Sequence, residues 1–246
     1  MATKSDLYFE MFSRNIGCVS KGQQEKIRAT RVLIAGLGAL GGAALEALVR
    51  LGVQEFFLVD FDTFELTNLN RQRLATLDSM RRPKVHCAAK FAKSINPQCK
   101  IKAFKKRLTQ QLAAKGCKWA DIVLDCMDNP YSRAMLYRAA KSSKKPYVFG
   151  SASGQYGMAS VFAKKSPDFE RLMRLPSYGR SLEESKSALL AQGKCESVLA
   201  VAPSIIGALQ AQMALGCMLG RKSIAAPDFL IFDASKKSMV SLERLK

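Results

Sequence analysis

Residues 31–41 read RVLIAGLGALG, a compact β-type run closed by three glycines, and the helical segment AALEALVRLG (43–52) follows at once. Nothing else in the chain restricts the fold so strongly. Gly36, Gly38 and Gly41 stand in the order G-x-G-x-x-G between a strand and a helix. Glycines so placed permit a tight turn and close approach of the backbone to a phosphate, while the helix start offers free N–H groups and partial positive charge. Asp60, nineteen residues past Gly41, ends the next strand-like run EFFLVD (55–60), where a carboxylate can accept two ribose hydroxyls. The pattern predicts a nucleotide site on a Rossmann-like sheet and leaves NAD and ATP both open.

The flanking residues continue that grammar. Ser20 can cap a polar helix over 21–30, part of an N-terminal helical arm (1–30). Within a nucleotide-binding core (31–150), KIKAF (100–104), DIVLDC (121–126) and PYVFG (146–150) read as strands. Helices are expected from Pro83 to about Ile95, over TQQLAAK, and from Pro130 to about Ser143. The alternation predicts an α/β fold with a doubly wound, mostly parallel sheet. Beyond 155 the pattern changes to antiparallel strands on the C-terminal side: GQYGMASVFA, then a closing hairpin in FLIFDASKKSMVSLERL, with an apolar buried helix between them in VAPSIIGALQAQMALGCML. Residues 164–194 are polar and weakly patterned, and are expected to form a flexible crossover segment. One domain over 1–246 accommodates all of this.

Composition narrows the partners. A formal net charge of +19 favours anions such as nucleotides, an acidic protein or RNA. The basic residues lack the aromatic interleaving of a single-strand groove, so charge alone names no partner. No run of apolar residues is read as reaching the roughly twenty that span a bilayer, and no membrane partner is expected. Seven scattered cysteines, none in Cys-x-x-Cys spacing, argue against disulfides and a zinc ribbon. The N-terminus carries no apolar signal core, so a reducing cytoplasm is the expected compartment.

Residues 59–73 read VDFDTFELTNLNRQR. A dehydrogenase gains little from a second acid (Asp62), two asparagines and two arginines directly after its ribose acid. An enzyme that cleaves ATP at the α-phosphate gains much, because pyrophosphate leaves with heavy negative charge. Arg71 and Arg73 can supply forked donors, Asn68 and Asn70 can orient phosphate oxygens, and Lys84 in the next helix adds a charge. Asp128, after the strand IVLDC, is a hard carboxylate suited to magnesium. No Walker-type G-x-x-x-x-G-K-[ST] is present.

Taken with SRNIG (13–17), GQQEKIRATRVLIAGLGALGG (22–42), PKV (83–85), LDCMDN (124–129) and CESVLAVAPSIIG (195–207), these residues resemble the ThiF/MoeB/HesA family of ubiquitin-like-protein activating enzymes. Members adenylate the C-terminal glycine of a small β-grasp protein, using MgATP. The resemblance implies a ubiquitin-like or sulfur-carrier partner with a Gly-Gly tail. It implies that Asp60 binds ribose, that Thr67, Asn68 and Arg71 line the phosphate site with Lys84, and that Asp128 holds magnesium beside Asn129. Ala39 falls where the family often has glycine, its N–H still available. Arg14 matches an arginine that reaches into a neighbouring subunit's site, which implies a homodimer. Cys195 matches a cysteine that, in some relatives, captures the activated carboxylate or enters a persulfide relay; a thiolate suits that chemistry.

The chain departs from the family where two Cys-x-x-C pairs usually bind zinc, so zinc is not expected. That departure brings in an alternative, the zinc-free tRNA threonylcarbamoyladenosine dehydratases, which would make tRNA the partner. An idle nucleotide-binding scaffold and an NAD-dependent oxidoreductase are further readings. His86, the only histidine, is expected at the surface, and Trp119 in packing.

Overall fold

Alternation along the central strands decides which side of the sheet each residue serves. In the computed structural model, which describes residues 4–192 and 197–246, Val32 and Ile34 of β1 (Arg31–Ala35) enter one hydrophobic layer, while Leu33 and Ala35 enter the other. Phe56 and Leu58 of β2 (Glu55–Val59) join the first layer, Phe57 and Val59 the second. Strands buried on both faces read as continuous apolar runs, the mark of a parallel sheet covered by helices.

The sheet continues with β3 (Lys100–Phe104), β4 (Ile122–Asp125), β5 (Tyr147–Ser153), β6 (Tyr156–Phe162), β7 (Asp228–Asp233) and β8 (Val240–Arg244), in the order β3-β2-β1-β4-β5-β6-β7-β8. Pairs from β3 through β5 are parallel, and those from β5 onward are antiparallel. The first layer is built from α2 (Lys21–Ala29), α3 (Ala39–Leu51), α4 (Lys84–Ile95) and α9 (Val201–Leu219). The second holds α5 (Gln110–Trp119), α6 (Pro130–Ser142), α7 (Phe169–Leu172) and α8 (Leu182–Ala191). Ala35 pairs with Val59 on one side and Asp125 on the other. The residues that follow these three emerge together, at the point where strand order reverses. Open α/β sheets place ligands there.

An N-terminal helix, α1 (Lys4–Met11), is tied to the core through one tyrosine. Tyr8 is fully buried, donates its hydroxyl proton to the Gly52 carbonyl at 2.9 Å and accepts from Gln24 Nε2 at 2.8 Å. Burial pushes its pKa up to about 12. Tyr8→Phe leaves both partners buried without that hydroxyl and should destabilise the fold by about 1–3 kcal/mol, measured by urea denaturation.

Three expectations need correction. TQQLAAK is only the first part of a helix that runs to Trp119, whose ring lies against Phe57. The described part of 164–194, expected as a weakly patterned crossover segment, contains two helices, α7 and α8; Asp168 caps the first, and a Ser181–Glu184 capping box starts the second. Finally, α9 is long and apolar enough by length and composition to cross a membrane, against the reading that no run is; here it packs on α3 and β5.

Candidate functional site

The glycine loop is set by contacts that admit no side chain. Gly36 has φ +88°, and a Cβ on Gly41 would lie 1.9 Å from the Gly36 carbonyl oxygen. The first turn of α3 can therefore press directly against the loop. Gly38 precedes α3 and offers no capping side chain, so the first-turn N–H groups remain for a ligand.

Asp60 is fastened to this loop. Its Oδ2 accepts from the Leu37 N–H at 2.7 Å and its Oδ1 from the Asp62 N–H at 2.8 Å. Burial pushes its carboxyl upward, while these two amides and Lys84 oppose the rise. Each oxygen keeps a lone pair for a further donor. Lys84 begins α4, is buried, and donates to Asp62 Oδ2 at 3.2 Å.

A cavity of about 680 Å³ opens over these residues. Gly36, Gly38, Ala39 and Asp60 line one stretch of its wall; Asp62, Arg71, Lys84 and Asp128 line the rest of the expected set. Arg71 Nη1 donates to the Thr67 carbonyl and to Asn70 Oδ1, both at 2.8 Å, which aims a forked group along the wall. The exposed Asp128 receives a hydrogen bond from Asn129 Nδ2 at 3.1 Å.

Other expected residues do not line the cavity. Thr67 and Asn68 lie in a short 3-10 turn (Leu66–Asn68), where Asn68 is buried and its Oδ1 holds the Glu65 N–H. They shape the loop that carries Arg71. Asn129 caps α6 through the Ser132 N–H, and Gly41 packs beneath the loop. Arg14 is exposed in the 3-10 turn Ser13–Asn15 and does not reach its own chain's cavity. Cys195 lies outside the described residues. His86 is exposed on α4.

Gln72 and Arg133 are among the lining residues that sequence reasoning missed. Gln72 is buried beside Gly38, and its Oε1 meets no donor among the described residues. Arg133 supplies a further cation: its Nη1 donates to Asp125 Oδ2 at 2.7 Å and to the Gly150 carbonyl at 2.9 Å. Asp125 is completely buried and also accepts from the Tyr147 hydroxyl at 2.6 Å and the Met127 N–H at 2.9 Å. Burial raises its carboxyl, and the Arg133 charge opposes that rise. The only signal in sequence was an acid closing the apolar run IVLD.

Burial in these layers keeps the cysteine thiols protonated. Burial raises Cys99 and Cys117 to about 12, and Cys126 sits against Gln210. The free cysteines among the described residues include no pair, and these residues hold no cluster of three or more metal-ligating side chains.

A Rossmann-like sheet whose switch point gathers a buried acid, uncapped helix N–H groups and several cations has the layout that nucleotide-binding α/β folds use. The chain belongs to the ThiF family, whose model matches residues 12–246. It is 38% identical over 154 residues to the molybdopterin-synthase adenylyltransferase of Haemophilus influenzae, an alignment covering 62% of this chain and 63% of that protein, less than two thirds of its length. It is 30% identical over 225 residues to the sulfur carrier protein adenylyltransferase of Thermus thermophilus, covering 89% of this chain and 80% of the relative. Among solved structures, the Escherichia coli tRNA N6-threonylcarbamoyladenosine dehydratase superposes with a TM-score of 0.70 at 21% identity, over 89% of this chain and 98% of that one. That likeness concerns the fold alone.

Proposed function

We propose that the protein is an ATP-dependent adenylyltransferase that activates the C-terminal glycine carboxylate of a small ubiquitin-like or sulfur-carrier β-grasp protein. The observation that carries this reading is the meeting of Asp60, Arg71, Lys84 and Asp128 around one cavity at the strand-order switch. Relatives named for carrier-protein adenylation favour a protein acceptor over tRNA.

In the reaction, a carboxylate oxygen attacks the α-phosphorus in line, the bond to the bridging oxygen breaks, and pyrophosphate departs with the electron pair. The carboxylate is already ionised and needs no strong base; positioning and charge stabilisation carry the catalysis. Asp60 accepts the ribose hydroxyls, the start of α3 receives phosphate, and Arg71 and Lys84 meet the departing charge. Asp128, exposed at the wall and steadied by Asn129, fits magnesium, which keeps its waters and phosphate oxygens and needs only one or two protein carboxylates. Bound there, the ion would neutralise phosphate charge. Arg14, outside its own cavity, is assigned to the neighbouring copy's site in a homodimer. Cys195 is assigned to a later thioester or persulfide step, and the unpaired cysteines suit a cytoplasmic setting.

Exchange of labelled pyrophosphate into ATP tests this reading. It should require both the protein and a Gly-Gly-ended β-grasp carrier, and vanish when the carrier's terminal glycine is removed. Exchange indifferent to any carrier, or ATP turnover that depends on tRNA instead, would overturn it.

A further inference from the structure

The loop between α7 and α8 forms a second, shallow cavity of about 350 Å³ that shares no lining residue with the first. Arg171, Arg174 and Arg180 line it, with the exposed ring of Tyr178. The one acid in its wall is Glu170, and that charge is already spent: Arg138 holds its two oxygens at 2.7 and 2.8 Å, and the residue is buried. Nearby Glu184 accepts from the Ser181 N–H at 3.0 Å and lies within electrostatic reach of Arg180 without pairing with it. None of the three arginines forms an ion pair among the described residues.

This bowl is held in shape. Arg138 Nη2 also donates to the carbonyls of Ser177 and Arg180, each at 2.8 Å. Asp168 accepts from the Glu170 and Arg171 N–H groups and from Lys141 Nζ, fixing the start of α7. Arg174 itself is kept at φ +52°, a conformation uncommon for a side-chain-bearing residue. A solvated charge run would spread its like charges over an open surface; here three arginines line one concavity whose backbone is fixed from beneath.

We propose that this arginine bowl docks an acidic face of the small carrier protein whose tail enters the nucleotide cavity, an inference that rests on the adenylyltransferase reading. One helix connects the two places. Arg133 lines the nucleotide cavity and Arg138 anchors the bowl, five residues further along α6, which is about 7.5 Å of helical rise. A folded partner seated on the bowl keeps an extended tail within reach of the cavity, because such a tail advances about 3.3 Å per residue. Arginine and tyrosine are the residues that dominate protein-docking surfaces. Single-stranded RNA would instead call for a basic track with several stacking rings, whereas one exposed ring and three cations lie here within ten residues.

The test compares Arg171→Glu/Arg174→Glu/Arg180→Glu with the unmodified protein in pyrophosphate exchange. Two acceptors are used: the Gly-Gly-ended carrier, and a synthetic peptide of roughly its last eight residues, about 25 Å when extended. For the carrier, KM should rise by about tenfold or more and its salt dependence should flatten, since docking charges act on encounter. The KM for ATP and the kinetics with the peptide should not change, which also shows that the variant is folded. Should the triple variant not fold, Arg171→Gln alone should raise the carrier's KM by about threefold. An unchanged carrier KM overturns the docking surface and leaves the adenylyltransferase reading intact; no exchange by the unmodified protein overturns both. Loss of bulk tRNA binding without change in carrier KM makes the bowl an RNA site and overturns the proposal.

Discussion

Asp125→Ala should lower the stability of the fold by about 3–5 kcal/mol, the usual consequence of removing one partner from a buried ion pair. The carboxylate is wholly inaccessible and collects three donors: Arg133 Nη1, the Tyr147 hydroxyl and the Met127 N–H. Without it, the Arg133 guanidinium, only 13% exposed as a side chain, keeps its bond to the Gly150 carbonyl but no ion-pair partner among the described residues. The Tyr147 hydroxyl loses its acceptor in a fully buried position, and the turn toward Asp128 loses the bond to Met127. For a chain of this length the melting temperature should fall by about 10 °C, at about 2–4 °C per kcal/mol. Asp125→Asn keeps the shape and the accepting oxygen but not the charge, so its loss should be smaller. The structural role assigned to Asp125 is wrong if Asp125→Ala melts within about 2 °C of the unmodified protein, less than 1 kcal/mol at this size.

This network shows why some of the molecule was legible in sequence and some was not. Gly36, Gly38, Gly41 and Asp60 announce themselves because a turn that excludes side chains is a local constraint, written in consecutive residues. Asp128 could be placed because strands of an open sheet deliver their following residues to a common edge. The pairing of Asp125 with Arg133 and Tyr147 depends on β4 lying beside β5, a fact of register that no spacing along the chain records. Gln210 is a stronger case: from the middle of α9 it donates to the carbonyls of Asp125 and Val148, joining β4 and β5 to a helix more than sixty residues away in sequence. Helix α8 escaped notice because the face it buries includes Ser185 between Leu182 and Leu189, which blurs the apolar period. Asn68 was expected against phosphate, yet its side-chain oxygen holds the Glu65 N–H of the 3-10 turn, while Thr67 lends its carbonyl to Arg71. A motif fixes which residues stand near a site more readily than which atoms face it.

The largest effect on activity should come from Arg71→Ala, a fall of about 10²–10³-fold in the rate of pyrophosphate exchange, the loss typical of one preorganised donor to a developing charge. Arg71 is well suited to the experiment because it is not part of the buried core. Its guanidinium bonds only to the Thr67 carbonyl and Asn70 Oδ1 among the described residues, so truncation should leave thermal stability almost unchanged. Lys84, by contrast, is buried and paired with Asp62, and its removal would confound binding with folding. If Arg71 meets charge that grows as pyrophosphate departs, kcat and kcat/KM should fall together while ATP still binds, because an interaction made only in the transition state is lost from both. Arg71→Lys keeps the charge but not the forked donors and should recover only part of the rate. Asp128→Ala should produce a comparable loss by removing the carboxylate proposed for magnesium. Exchange that persists within about threefold of the unmodified rate in Arg71→Ala, a difference of well under 1 kcal/mol in the barrier, would show that the cations after Asp60 do not absorb the leaving charge.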